Sequence, residues 1–171
     1  MNQLLSFDHF SLVESSNAEF DTSLDAMFED FAEVVSSPIK YTKIKNNAKK
    51  YQKALLTKAL ADVEYEKKKK KGLEPTQKEV LIAATKAKKA AMDELTDAIS
   101  QRMEDLATNE PLQTVVKLAK TKARISAAEA LLKIANDTES DELQDRIERD
   151  KKVAAELQSE LKSAKKEKED S

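Results

Sequence analysis

Residues 38–72 read PIKYTKIKNNAKKYQKALLTKALADVEYEKKKKKG, and this stretch decides the fold. Tyr41, Ile44, Ala48, Tyr51 and Leu55 step by three, four, three and four, a heptad stripe along one face of a helix. Lys58 falls where the next stripe residue belongs, and Ala59 and Val63 continue at steps of four, a stutter that loosens a left-handed supercoil. The run from Lys67 to Lys71 puts cations at the negative end of the helix dipole, and Gly72 supplies a left-handed stop. The pattern predicts one long basic helix from about Ile39 to Lys71.

On the N-terminal side the chemistry inverts. Residues 1–37 hold all five phenylalanines and eight carboxylates, with no Lys or Arg. Residues 40–71 carry twelve Lys against three carboxylates, so a segment of charge −8 precedes one of +9. The two neutralise each other within one chain or pair between neighbouring chains. Phe20, Leu24, Met27, Phe28, Phe31, Val34 and Val35 recur at helical spacing opposite Asp21, Asp25, Asp30 and Glu33, which predicts an amphipathic helix over 20–35. Asp21, Thr22 or Ser23 caps it, and Ser36-Ser37-Pro38 ends it. Residues 1–16 read as a short amphipathic peptide or docked arm.

On the C-terminal side, Thr76 with Glu79 makes a capping box for a helix over 76–108, which buries Val80, Leu81, Ala84, Ala91, Met92, Leu95, Ile99, Met103 and Leu106. Asn109 and Pro111 open a third helix with Leu112, Val115, Val116, Ala119, Ala123, Ala127, Ala130 and Ile134 on its stripe. After the polar break at 136–141, Thr138 or Ser140 starts a last helix. Its seam is Leu143, Ile147, Asp150, Ala154, Leu157, Leu161 and Ala164, supported by the pairs Glu142–Arg146, Asp145–Arg149 and Glu148–Lys152.

With 36% charged residues, 5% aromatics and a single Gly, the composition is that of long helices. The expected fold is all-α, an elongated bundle or coiled coil of about four long helices with an N-terminal amphipathic arm. The segments are the acidic arm 1–37, the hairpins 38–136 and the heptad helix 137–171. Alanine-rich seams bury little area per turn, so the helices are expected to lean on protein partners, copies of the same chain among them.

The same composition makes an enzyme a poor reading. There is no Cys, His9 is the single His, and no Gly-rich phosphate loop or nucleophile elbow exists, so no catalytic residue, cofactor or metal is expected. Leu4-Leu5 is too short for a signal-peptide core, and no apolar run approaches the roughly 18 residues of a membrane span, so a soluble cytoplasmic protein is expected. An assembly, scaffold or adaptor role follows, with Phe20, Leu24, Phe28 and Phe31 either anchoring a partner's groove or packing on the chain's own bundle. Two alternatives compete. Lys43, Lys49, Lys50 and Lys53, interleaved with Tyr41 and Tyr51, offer contacts to nucleic acid, although Arg is absent from the stretch. An inhibitor is the other, its acidic arm occupying a partner's groove.

The segment Ser6-Phe7-Asp8-His9-Phe10-Ser11-Leu12-Val13-Glu14 resembles the capsid-targeting peptide of internal head proteins in T-even-like tailed phages. Phe7 and Phe10 match the paired aromatics, and Leu12 with Glu14 matches the aliphatic-x-Glu sequence cut by the prohead protease. The resemblance implies a head-core component of host cytoplasm or virion, cleaved between Glu14 and Ser15. The peptide departs from the pattern in its extension Asn2-Gln3-Leu4-Leu5 and in one extra residue between Phe10 and the cleavage sequence.

Overall fold

A computed structural model of the chain describes residues 5–35, 38–70, 72, 74–100 and 110–170. The described residues form five helices and no strand: α1 (Phe7–Val35), α2 (Pro38–Lys70), α3 (Glu74–Ser100), α4 (Glu110–Leu132) and α5 (Asp137–Asp170). The fold is all-α.

The helix ends show which local signals acted. Ser6 opens α1: its carbonyl accepts the Phe10 N–H at 2.8 Å and its hydroxyl faces the His9 N–H at 3.4 Å. The expected helix over 20–35 with its cap at Asp21–Ser23 is thus the second part of one continuous helix that starts at Phe7. The physical reason is tertiary. Ser16 and Asn17 interrupt the apolar pattern, yet they face a polar partner on α2. Gly72 stops α2 with φ 74°, its N–H donating to the Lys69 carbonyl at 3.2 Å. α3 begins at Glu74 with Pro75 in its first turn, so Thr76 and Glu79 lie inside the helix and not at its start. Asn136, rather than Thr138 or Ser140, caps α5, its side-chain oxygen accepting the Glu139 N–H at 2.9 Å. Asn109, Met103 and Leu106 lie outside the described residues.

α2 and α4 are the centre. α2 packs against α1, α3 and α4, while α4 packs against α1, α2, α5 and, lightly, α3. Paired residues give the directions: His9 meets Glu64 and Asp25 meets Lys45, so α1 and α2 run antiparallel. Asn47 reaching Glu94 and Arg124 reaching Asp150 make α2/α3 and α4/α5 antiparallel as well. Being central, α4 buries residues around most of its circumference: Val115, Val116, Leu118, Ala119, Ala123, Ile125, Ala127, Ala128 and Ala130. The seam of α5 is as read, with Ile147, Asp150, Ala154 and Leu161 buried and Leu143, Leu157 and Ala164 partly so.

One core joins Phe20, Leu24 and Met27 of α1 to Ile44, Ala48 and Tyr51 of α2, to α4 and to α5. A second joins Leu5 and Val13 to Leu56, Leu60 and Ala61 of α2, Ala84 of α3, and Ala127 and Ala130 of α4. The N-terminal segment therefore supplies the large side chains that the alanine-rich helices lack.

Candidate functional site

The heptad stripe on α2 splits. Ile44, Ala48 and Tyr51 are buried as expected, but beyond Tyr51 the buried row shifts to Gln52, Leu56 and Leu60, continuing from Ala48 at steps of four. Leu55, Ala59 and Val63, the stripe's second half, are only partly covered. They form the floor of an open trough.

α3 and α5 both flank the α2–α4 seam, yet among the described residues they make no contact with each other. The space between them is a cleft of ≈ 770 Å³ floored by Tyr51, Leu55 and Ala59 of α2 and Ala127, Ala128 and Leu131 of α4. It continues past Ala59 and Leu131 into a hollow of ≈ 200 Å³ lined by Val63, Ile134 and Leu143. Two side chains expected in the core stand beside this trough instead: Met92 is 40% exposed and Ile134 45%. None of the described helices reaches far enough to cover them.

The walls are cationic. Lys58, Lys88, Arg124, Arg146 and Arg149 line the cleft with two carboxylates, Asp62 and Asp150. Lys58 pairs with Asp62 at 2.5 Å, and the Arg124 Nη2 pairs with Asp150 Oδ1 at 2.6 Å. Among the described residues, Lys88, Arg146 and Arg149 make no ion pair, and the expected pairs of Arg146 with Glu142 and Arg149 with Asp145 are not closed; nor is that of Lys152 with Glu148. Exposed ion pairs at this spacing are worth only about 0.3–0.5 kcal/mol, too little to hold long side chains in one rotamer. Asp150 is buried, and its second oxygen, Oδ2, has no hydrogen-bond partner. Burial pushes the Tyr51 hydroxyl pKa up, with Arg124 opposing and Asp150 adding to the rise.

The sequence-predicted site residues lie elsewhere. Phe20 and Leu24 are buried in the core at 3% and 1% exposure; the Phe28 and Phe31 side chains fall outside the described ones. Of the candidate polyanion contacts, Lys49 meets Asp21 at 3.2 Å, Lys53 meets Glu14 at 2.9 Å and Lys50 meets Glu94 at 3.8 Å. Lys43 is half-buried on α2. Lys45 also pairs with Asp25. The opposite charges of the first two segments thus meet within one chain, on successive turns of α1 and α2. Leu12 and Glu14 sit in the second turn of α1, where Val13 between them is 1% exposed, while Phe7 and Phe10 point outward.

α1 is held by two polar fixtures besides its core contacts. Gln52, fully buried, donates from Nε2 to Ser16 Oγ at 2.9 Å and to Ser126 Oγ at 3.1 Å. Its Oε1 accepts from Asn17 Nδ2 at 2.8 Å, and that same nitrogen reaches the Lys49 carbonyl at 3.0 Å. Three helices meet at this one amide. At the start of α1, Glu64 Oε1 accepts the Ser6 N–H at 2.6 Å and lies 2.9 Å from His9 Nδ1. Burial alone pushes the Glu64 carboxyl up, but the hydrogen bonds from Ser6 and His9 outweigh it and hold its pKa below the usual value. The signal for Gln52 was an amide between Tyr51 and Leu55 on the face of α2 that α1 and α4 cover.

Among the described residues, no group of three or more His, Cys, Asp or Glu side chains is placed to hold a metal ion. No helix among them is long and apolar enough to cross a membrane. What the trough can do is take up apolar surface along its floor and negative charge along its rim. Comparison with protein families, with curated proteins and with solved structures finds no match.

Proposed function

We propose that this chain is a non-enzymatic assembly or adaptor protein that acts by docking a helix of a protein partner. The observation that carries the reading is the trough over the α2–α4 seam. A heptad stripe written into α2 emerges there half-covered, with Leu55, Ala59 and Val63 beside Leu131 and Ile134 and, among the described residues, no neighbouring helix on top. Helices bury such stripes against other helices, at separations of 8–10 Å. The alternative of a nucleic-acid surface on α2 is disfavoured because three of its four lysines are engaged by carboxylates of the same chain.

Within the assembly class, a phage head-core role rests on the resemblance of residues 6–14. Cleavage after Glu14 would require the second turn of α1 to unwind first, since Val13 is buried there.

A photo-crosslinking amino acid placed at Val63 or Leu131 tests the docking reading in cells that make the chain. Protein adducts from those two positions, and none from the exposed Ser159 on α5, are expected. Equal adducts from Ser159, or none from the trough, would contradict it.

A further inference from the structure

The rim of the trough specifies the chemistry of what docks there. Lys88 approaches from α3, and Arg146 and Arg149 from α5; among the described residues these cations have no carboxylate paired to them, while the two other cations of the cleft do. All three line a floor of Tyr51, Leu55, Ala59, Ala127, Ala128 and Leu131. At 1.5 Å rise per residue, Tyr51 to Val63 spans about 18 Å, or roughly three helical turns.

We infer that the trough binds an acidic amphipathic helix of a protein partner, its apolar stripe on the α2–α4 seam and its carboxylates against Lys88, Arg146 and Arg149. The inference rests on the helix-docking reading and adds the partner's charge. The chain itself uses the same pairing, for α1 lies on α2 with Asp21 and Glu14 against Lys49 and Lys53. Arginine suits this task because its planar fork binds a carboxylate in two places, and an apolar floor lowers the local dielectric and strengthens each contact. The far hollow carries Glu139 and Glu142 beside Arg146, so the occupant is acidic over the Lys88–Arg149 section and not along its whole length. A second copy of this chain fits less well, because Glu14, Asp21 and Asp25 of its acidic helix are already spent on its own α2.

The probe is a set of three 18-residue helical peptides with one Leu/Ala stripe in common and Glu, Gln or Lys flanking it. Binding to the full chain is read by fluorescence anisotropy at low and moderate salt. The Glu peptide should bind at least ten times more tightly than the Lys peptide, and the gap should narrow with salt. The variant R146E/R149E, at two exposed positions of α5, should melt as the parent does and reverse the preference in favour of the Lys peptide. Equal binding of all three peptides would overturn the charge assignment while leaving helix docking intact. Binding of none, with crosslinks still forming from Val63 and Leu131, would overturn it too. So would a dimer in light scattering that R146E/R149E dissolves, since the trough would then hold a second copy.

Discussion

Replacing Gln52 with Leu conserves volume but removes the amide at which α1, α2 and α4 meet. Three hydrogen bonds disappear, to Ser16, to Ser126 and from Asn17. At about 1 kcal/mol each, the loss comes to about 3 kcal/mol. Asn17 keeps the Lys49 carbonyl and the serines can turn back onto their own helix carbonyls, so about 2 kcal/mol is the lower bound. For a chain of this length each kcal/mol moves the melting temperature by about 2–4 °C, so Q52L should melt about 4–12 °C lower. The informative partner is Q52L/S16A/S126A. Once both ends of the two serine bonds are apolar, no buried hydroxyl is stranded and Asn17 still has the Lys49 carbonyl, so the triple variant should recover to within about 1 kcal/mol of the parent. Urea unfolding followed by circular dichroism measures both. A Q52L that melts with the parent, or a triple variant no better than Q52L, would refute the claim that this amide fixes α1.

Phe20→Ala should cost about 3–5 kcal/mol in the same assay, a large share of the roughly 5–15 kcal/mol that holds a domain together, because Phe20 is 3% exposed beneath α2. The lowered Glu64 pKa gives a pH dependence of definite sign. Its contribution is complete above the ordinary Glu range and is lost as pH falls through the lower folded value, so stability should decline below about pH 4.5, and E64Q should flatten that limb. Retention on a DNA column should be weak and should not fall with the steep salt slope of a multi-phosphate contact, since Lys49, Lys50 and Lys53 are already paired.

Where one helix face meets one neighbour, the sequence was readable. α5 shows this best, because Ile147, Asp150, Ala154 and Leu161 lie on a single unbroken seam that packs chiefly against α4, with α1 in lighter contact. α2 and α4 were harder for the opposite reason. Each is covered on several sides, so burial follows more than one row, and Gln52, Leu56 and Leu60 outrank the heptad stripe beside them. The first half of α1 was missed because Ser16 and Asn17 break apolar periodicity locally; only Gln52, some thirty-five residues on, gives them their place. The trough had a trace in the sequence, the stutter at Lys58, one turn past Leu55, where the stripe has already left the core. Its walls had none, because nothing local tells Met92 that α5 stands too far away to cover it.

Methyl resonances of the trough floor give the most direct test of helix docking. With Leu, Val and Ile methyls labelled, addition of the Glu-flanked peptide should shift Leu55, Val63, Leu131 and Ile134 and leave Val153, exposed elsewhere on α5, unmoved. Shifts confined to Val153 or to the surface around Phe7 and Phe10, with the four floor residues unchanged, would contradict the account.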